Sequence, residues 1–188
     1  MAMADLTLAD LRLRLEHDVE HAEAALLKDG LLAPVVALTT SDGTLLPVVP
    51  DFSSAETKAA SMTAVRLLAI AEDAVIATHM SEVWMVVGQP TPDVSPSESE
   101  RRIEAVAVVV QGRVEGEVVS LSSVREILRG DDGHPTGSRA LDLPGTGREG
   151  LASLEGPMAE LLPPTKPNEV QQVVARAALM RMGLVPAS

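Results

Sequence analysis

Cysteine and tyrosine are absent from this chain, and other aromatic residues are nearly so. The 188 residues include no Cys, no Tyr, one Phe and one Trp. Without cysteine there are no disulfides, cysteine-ligated zinc sites, iron–sulfur clusters or thiol nucleophiles. Because Phe52 and Trp84 are the only aromatic side chains, the core has to be built from aliphatic residues and methionine. We expect Trp84, the largest apolar side chain, to be buried in it.

Positive charge is also scarce. Lys and Arg total 15 against 27 Asp and Glu, which gives a net charge of −12. This charge repels phosphate backbones, so we expect no nucleic-acid partner. Long apolar runs are missing too, and the first fifteen residues mix Asp and Arg among their leucines, which predicts neither a signal peptide nor a membrane helix. We therefore expect no membrane partner and, by default, a cytoplasmic location.

The apolar pattern of the first half predicts two helices and three strands. A helix over residues 6–29 ends at Gly30, a residue suited to the left-handed position after a helix. Two short apolar runs, 35–39 and 45–49, flank Asp42-Gly43, a strong hairpin signal. A second helix begins after a serine cap near residue 54 and runs to about residue 72. A β-branched run over residues 75–87 then predicts one long strand.

The second half predicts a hairpin, a linker and a final helix. Residues 103–110 and 113–121 are expected to pair around a turn at Gln111-Gly112. Glycine and proline then accumulate over residues 130–167, which predicts loop and linker with one short helix near residues 151–162. The final helix begins after Asn168 and has an apolar stripe that we expect to dock. The stripe consists of Val170, Val173, Val174, Ala177, Met180 and Leu184.

These elements predict an α+β fold. We expect a single antiparallel sheet of about five strands with two helices packed on one of its faces, plus a C-terminal helix on a Pro/Gly-rich tether. The chain then divides into a core domain (1–129), a loop and linker (130–167) and a C-terminal amphipathic helix with its tail (168–188). The order of elements is similar to that of roadblock-like and profilin-like domains, whose sheets mediate dimerisation and scaffolding. The similarity is an analogy of topology and carries no function by itself.

One motif in the first helix is typical of metal chemistry. His17, Glu20 and His21 fit H-x-x-E-H, in which two histidines on one helix bind zinc. A catalytic site needs a third ligand, for which Glu98 or Glu100 is a candidate. Helix phase opposes this interpretation, because His17 and His21 lie roughly 200° to 240° around the helix from its apolar stripe. We expect two solvent-exposed histidines, with a metal-dependent hydrolase as the alternative.

No other constellation predicts catalysis or a cofactor. The glycines of residues 145–150 fit G-x-G-x-x-G, but they follow a linker segment rather than a buried parallel strand, so we expect a turn. His134 in a glycine-rich loop and His79 in a strand each stand alone. Since no nucleophile elbow is present either, we expect no cofactor and a non-enzymatic protein.

A resemblance rests on two segments around a proline-rich loop. They are Ser81-Glu82-Val83-Trp84-Met85 and the run from Pro96-Ser97-Glu98 to Arg101-Arg102-Ile103-Glu104-Ala105-Val106. This pattern resembles a family of small uncharacterised bacterial and bacteriophage proteins, and covers about thirty residues. The resemblance implies no activity. No functional residue is carried over from it. From their own chemistry, Glu98, Arg101 and Arg102 at the loop-to-strand junction form a local salt bridge or contact a partner, and with Trp84 they are the interaction candidates of this region.

The function expected from the sequence is a protein–protein interaction or assembly module. Its partner is a second copy of the chain, giving a homo-oligomer, or another protein, bound through a sheet edge or the C-terminal helix. On that helix the interaction candidates are Val173, Ala177 and Met180. The resemblance to phage-encoded proteins implies a place in a virion or in the host cytoplasm. A small-ligand-binding domain remains a further alternative.

Overall fold

The computed structural model describes residues 6–86, 99–100, 102–141 and 160–184. The elements are α1 (Leu8–Asp29), β1 (Val35–Thr40), β2 (Leu45–Val48), α2 (Ala55–Ala71), β3 (Ala74–Val86), β4 (Arg102–Val114), β5 (Glu117–Arg129), β6 (Pro135–Ala140) and α3 (Glu169–Arg181). Within these residues no helix is both long and apolar enough to cross a bilayer. The predicted turn at residues 145–150 and most of the predicted short helix at 151–162 lie outside them.

The strands form one antiparallel sheet in the order β2-β1-β3-β4-β5-β6. The α+β class is therefore confirmed, although the described sheet has six strands rather than about five. The additional strand, β6, lies where we expected only loop and linker. Its sequence is Pro-Thr-Gly-Ser-Arg-Ala, which has little strand propensity, and it pairs with β5 on one side at the edge of the sheet. Edge strands tolerate proline and glycine.

The first hairpin forms around Asp42-Gly43, as predicted. Gly43 has a positive φ of 90°. Asp42 accepts hydrogen bonds from the hydroxyl of Thr40 at 2.5 Å and from the backbone N–H of Thr44 at 2.9 Å. These bonds, led by the one from the Thr40 hydroxyl, lower the pKa of Asp42 to about 2. The side chain of Asp42 thus closes the turn.

The second hairpin turns at a different place from the one predicted. Val114 pairs with Glu117, so the turn residues are Glu115 and Gly116, both with positive φ. Gly112, the expected turn residue, instead lies within β4 under α1. A Cβ atom there would stand 2.4 Å from Leu11 Cδ2, so glycine serves the close approach of helix to sheet rather than a turn.

The two long helices pack on opposite faces of the sheet, which corrects the prediction that they share one. The α1 side carries alternate residues of β4, such as Val108 and Val110, together with Leu11 and Leu26 of the helix. On the other face, α2 packs Met62 and other residues against β1 and β3. Successive residues of a strand point to opposite faces of the sheet. When both faces are covered, nearly every residue of the strand is therefore apolar. The run from Ala105 to Val110 is buried throughout.

Side-chain caps define where each helix begins. Thr7, Ser54 and Asn168 each accept a hydrogen bond from the backbone N–H three residues later. In each case the residue at that third position returns a side-chain bond to the cap, which completes a capping box. The predicted caps at Asn168 and near residue 54 are confirmed, and Gly30 ends α1 with a φ of 78°.

Candidate functional site

The C-terminal segment is bound to the body of the protein by hydrogen bonds from several directions. The side-chain oxygen of Gln111 accepts the backbone N–H groups of Leu161, at 2.8 Å, and Leu162, at 3.0 Å. Arg113 donates to the carbonyl oxygens of Pro163 and Pro164. Gln111 is buried in β4, so the residue that we expected in a turn instead fixes the start of this segment against the sheet.

Helix α3 docks on α2 through a face other than the valine stripe. Ala175 and Leu179 are buried in a cluster with Ala71 of α2. Arg176 donates to the carbonyl oxygen of Ala71 at 2.9 Å and also approaches the carboxylate of Glu72. Within the chain the contact is made by alanine and leucine at positions 175 and 179, so docking of the valine stripe on another chain stays a prediction.

The valine side of α3 faces outward. Val170, Val173 and Val174 are 72%, 64% and 59% exposed. Ala177 is exposed as well, while Met180 is half-buried. At 100° per residue the centre of these three valines and Ala177 lies about 170° around the helix axis from the docked pair. We call Val170, Val173, Val174 and Ala177 the outer face of α3. The interaction candidates Val173 and Ala177 therefore lie on a surface, and Met180 lies at its margin.

Trp84 is not a core residue, contrary to expectation. It lies on β3 and is 45% exposed. The guanidinium of Arg102, on the neighbouring strand, lies over its ring at 4.9 Å from the centroid. Such a cation–π pair is typical of surface recognition sites, where tryptophan and arginine are both enriched. The structure therefore brings together two of the four interaction candidates of this region, while Glu98 and Arg101 lie outside the described residues.

An ion pair supports the strand next to Trp84. Glu104 is the cross-strand partner of Trp84, and Arg129 donates to both of its carboxylate oxygens, at 2.8 and 2.5 Å. Hydrogen bonding to Arg129 lowers the pKa of Glu104 and raises that of Arg129. Nearby, Glu82 accepts the backbone N–H of Leu32. These contacts hold the surface around Trp84 in one arrangement.

The two histidines of the H-x-x-E-H motif lie in solvent, as helix phase predicts. The side chain of His17 is 74% exposed, and Glu20 and His21 are also exposed. Among the residues that the structure describes, no group of three or more His, Cys, Asp or Glu side chains is placed to hold a metal ion. Glu98, one proposed third ligand, lies outside those residues. The described part of the chain therefore supplies no third ligand to His17 and His21 for a metal site.

Asp18, inside the same motif, has a structural role that sequence analysis missed. It is buried and accepts hydrogen bonds from Arg14 at 2.6 Å and from the hydroxyl of Thr78 at 2.8 Å. Helix phase contained the signal, because Asp18 lies seven residues after Leu11 and four before Ala22, both on the buried face. The motif therefore has its inward-facing carboxylate at position 18 and its histidines outside.

His79 and Ser81 are buried side by side on β3, facing the α2 side of the sheet. Among the described residues neither side chain has a hydrogen-bond partner. The ring of His79 lies 5.8 Å from that of Phe52. Burial, with a contribution from the charge of Lys58, lowers the pKa of His79 to about 4. His79 is 0% exposed, so its ring packs inside the protein, in its neutral form near pH 7.

Comparisons with known proteins supply no homologue from which to transfer a role. No family model, no curated protein and no solved structure matches the chain. The resemblance to small bacterial and bacteriophage proteins therefore rests on the residues quoted for it. Two surfaces of the described chain remain as candidates for function, the outer face of α3 and the Trp84–Arg102 pair.

Proposed function

We propose that this protein is a non-enzymatic interaction or assembly module that binds another protein chain, either a second copy of itself or a different protein. The observation that carries the proposal is the two-sided character of α3. One side of the helix is fixed on α2 through Ala175 and Leu179, and the opposite side presents three exposed valines. A protein surface that displays adjacent apolar side chains on a fixed element is typical of a binding site for another protein.

Helix propensity supports this interpretation of the outer face. Valine is a poorer helix former than alanine, glutamate or lysine because its branched Cβ restricts χ1. On an exposed helix surface, polar or charged residues would stabilise both the helix and its solubility. Val170, Val173 and Val174 favour neither helix formation nor solubility. We therefore propose that they contact a partner.

The Trp84–Arg102 pair offers a second contact region for the same function. Tryptophan and arginine contribute strongly to binding free energy when a partner excludes water from them. In the resemblance to small bacterial and bacteriophage proteins, Trp84 belongs to the matching segment. We propose that the module acts in the cytoplasm, or in a virion if the chain is phage-encoded.

The test is affinity capture from extracts of the source cells with three matched baits: the parent, Val173→Glu and Val49→Glu. Val49 is 73% exposed and directly follows β2, which is not part of the α2–α3 cluster, so it controls for the loss of an exposed valine. We expect at least one chain, this protein or another, to be retained by the parent and by Val49→Glu and lost with Val173→Glu. If no retained chain depends on position 173, the proposal is wrong.

A further inference from the structure

We call residues 160–184 the C-terminal arm. Side chains of α2 and β4 bond its backbone over five consecutive residues. Arg66 donates to the carbonyl oxygen of Glu160 at 2.7 Å, and the bonds of Gln111 and Arg113 described above continue the series. Peptide-binding grooves hold their ligands by bonds of this kind to the ligand backbone. The first part of the arm is therefore held as a bound peptide would be.

The arm completes the core on the α2 side of the sheet, and its charge suits the rest of the chain. Leu161 and Leu162 are buried in the cluster between α2 and the sheet. Farther along, Lys166 lies 3.5 Å from the carboxylate of Asp73. The arm has three basic and two acidic residues in a chain of net charge −12, so the rest of any copy attracts it. We call the polar side chains that contact the arm the arm site, which consists of Arg66, Glu72, Asp73, Gln111 and Arg113.

The connection between the sheet and the arm is much longer than the distance that it covers. Leu141 precedes it and donates to the carbonyl oxygen of Val124 on β5. The arm begins at Gln111, whose cross-strand partner on β5 is Ser120. At 3.4 Å per residue and 4.8 Å between strands, the two ends lie about 15–20 Å apart. Five or six extended residues cover this distance, whereas residues 142–159 number eighteen. Eighteen extended residues span about 60 Å, which lets the arm of one copy reach another.

We infer that the arm site of one copy takes the arm of a second copy, so that two copies exchange their arms. This inference rests on the proposed function, because it treats the chain as an assembly module, and it names the partner. Each contact between the arm and the arm site is the same whether the arm belongs to that copy or to another. The fit of the partner is therefore the fit observed in the structure.

Protein concentration decides between the two arrangements. A tethered arm is present at its own site at an effective concentration in the millimolar range. In dilute solution the arms therefore occupy the sites of their own copies. Copies that are concentrated, or held together in an assembly, exchange arms, and each exchanged pair links two copies.

Cross-linking between single cysteines tests the exchange, because the chain has no cysteine of its own. Lys166→Cys in one copy and Asp73→Cys in another place one thiol on the arm and one at the arm site. Loss of their ion pair costs little, since the pair is partly exposed. With a short bis-maleimide, we expect the mixture to give a product of twice the chain mass, in a yield that rises with protein concentration up to about 1 mM. Lys166→Cys mixed with Val49→Cys, an exposed position outside the arm site, is the matched control for random collision.

A chain that carries both Lys166→Cys and Asp73→Cys separates the two arrangements. We expect cross-linking within the chain in dilute solution and between chains at high concentration. Cross-linking only within the chain at every concentration, with no more dimer from the mixture than from the Val49→Cys control, overturns the inference. The capture experiment with Val173→Glu tests the proposed function separately. If a captured chain depends on position 173 but no arms are exchanged, only the exchange fails. If no captured chain depends on position 173, the proposed function fails.

Discussion

The hydroxyl of Thr78 donates a 2.8 Å hydrogen bond to the carboxylate of Asp18, and both residues are buried between α1 and the middle of the sheet. The bond connects the first helix to a strand far along the chain. Arg14 supplies the compensating charge from the preceding helical turn. A buried carboxylate of this kind stabilises the fold only while its partners are present, because an unpaired polar group in the core is costly.

Substitution of Asp18 by Ala is therefore expected to lower the free energy of unfolding by about 1–3 kcal/mol, since it leaves the Thr78 hydroxyl buried without an acceptor. Urea unfolding at neutral pH measures this. Thr78→Val should cost less in the Asp18→Ala background than in the parent, because the two residues share one interaction. The exposed His21→Ala, on the same helix and without a contact to Asp18 among the described residues, is the control and should change stability by less than about 0.5 kcal/mol. Equal costs in both backgrounds would show that the two residues act independently.

The second prediction concerns pH. The pKa of His79 is lowered from 6.5 to about 4 in the folded protein, whereas the unfolded chain binds the proton near pH 6.5. Between these values the unfolded state holds more protons, so stability falls as the pH falls through this window and levels off below about pH 4. The free energy of unfolding falls by up to about 1.4 kcal/mol per pH unit, and by about 3 kcal/mol over the whole window.

Urea unfolding of the parent and His79→Leu from pH 7 to pH 4 checks this. We expect the leucine variant to lose less stability than the parent over the window, since it has no proton to bind. His21→Ala, which removes an exposed histidine, is the control for the loss of a histidine. If the free energy of unfolding had the same pH dependence in the parent and in His79→Leu, His79 would be protonated equally in the folded and unfolded states.

The third prediction uses the only tryptophan. Because Trp84 is 45% exposed and stacked on Arg102, its fluorescence should be red-shifted and readily quenched by acrylamide. Trp84→Ala should cost less than the 3–5 kcal/mol typical of buried aromatic residues. Met62→Ala, at a buried position of α2, is the comparison and should cost about 2–5 kcal/mol. A blue-shifted emission that acrylamide does not quench would place Trp84 in the core after all.

The fourth prediction concerns the attachment of the C-terminal segment. In Gln111→Ala, the backbone N–H groups of Leu161 and Leu162 lose their acceptor. Hydrogen exchange at these two amides should become faster, while exchange in the centre of α1 stays the same. Loss of the buried acceptor should also reduce stability by about 1–3 kcal/mol. Unchanged protection at both amides would show that other contacts hold the segment.

Local signals made much of the fold predictable. The caps, the Asp42-Gly43 turn and the helix over α1 follow from short-range chemistry, which sequence patterns report directly. The turn at Glu115 and Gly116 was missed because glutamate is rarely found with positive φ, and Gly112 competed for the assignment. What fixes Gly112 in a strand is the packing of Leu11, which is far away in sequence.

The candidate surfaces were only partly predictable, for a related reason. Helix α3 has two apolar sides, one of alanine and leucine and one of valine, and periodicity alone does not choose between them. The choice depends on the shape of α2, where Ala71 leaves room for Ala175 and Leu179. Similarly, the size of Trp84 predicted burial, whereas its position on β3 and its contact with Arg102 leave it at the surface.

The two outermost strands of the sheet each contain a proline, Pro47 in β2 and Pro135 in β6. A proline offers no N–H to an incoming strand, and β2 is only four residues long. Both edges are therefore poor templates for the strand addition from which amyloid-like fibres grow. Strand addition is therefore disfavoured at both edges of the described sheet, even though its inner strands are rich in β-branched residues.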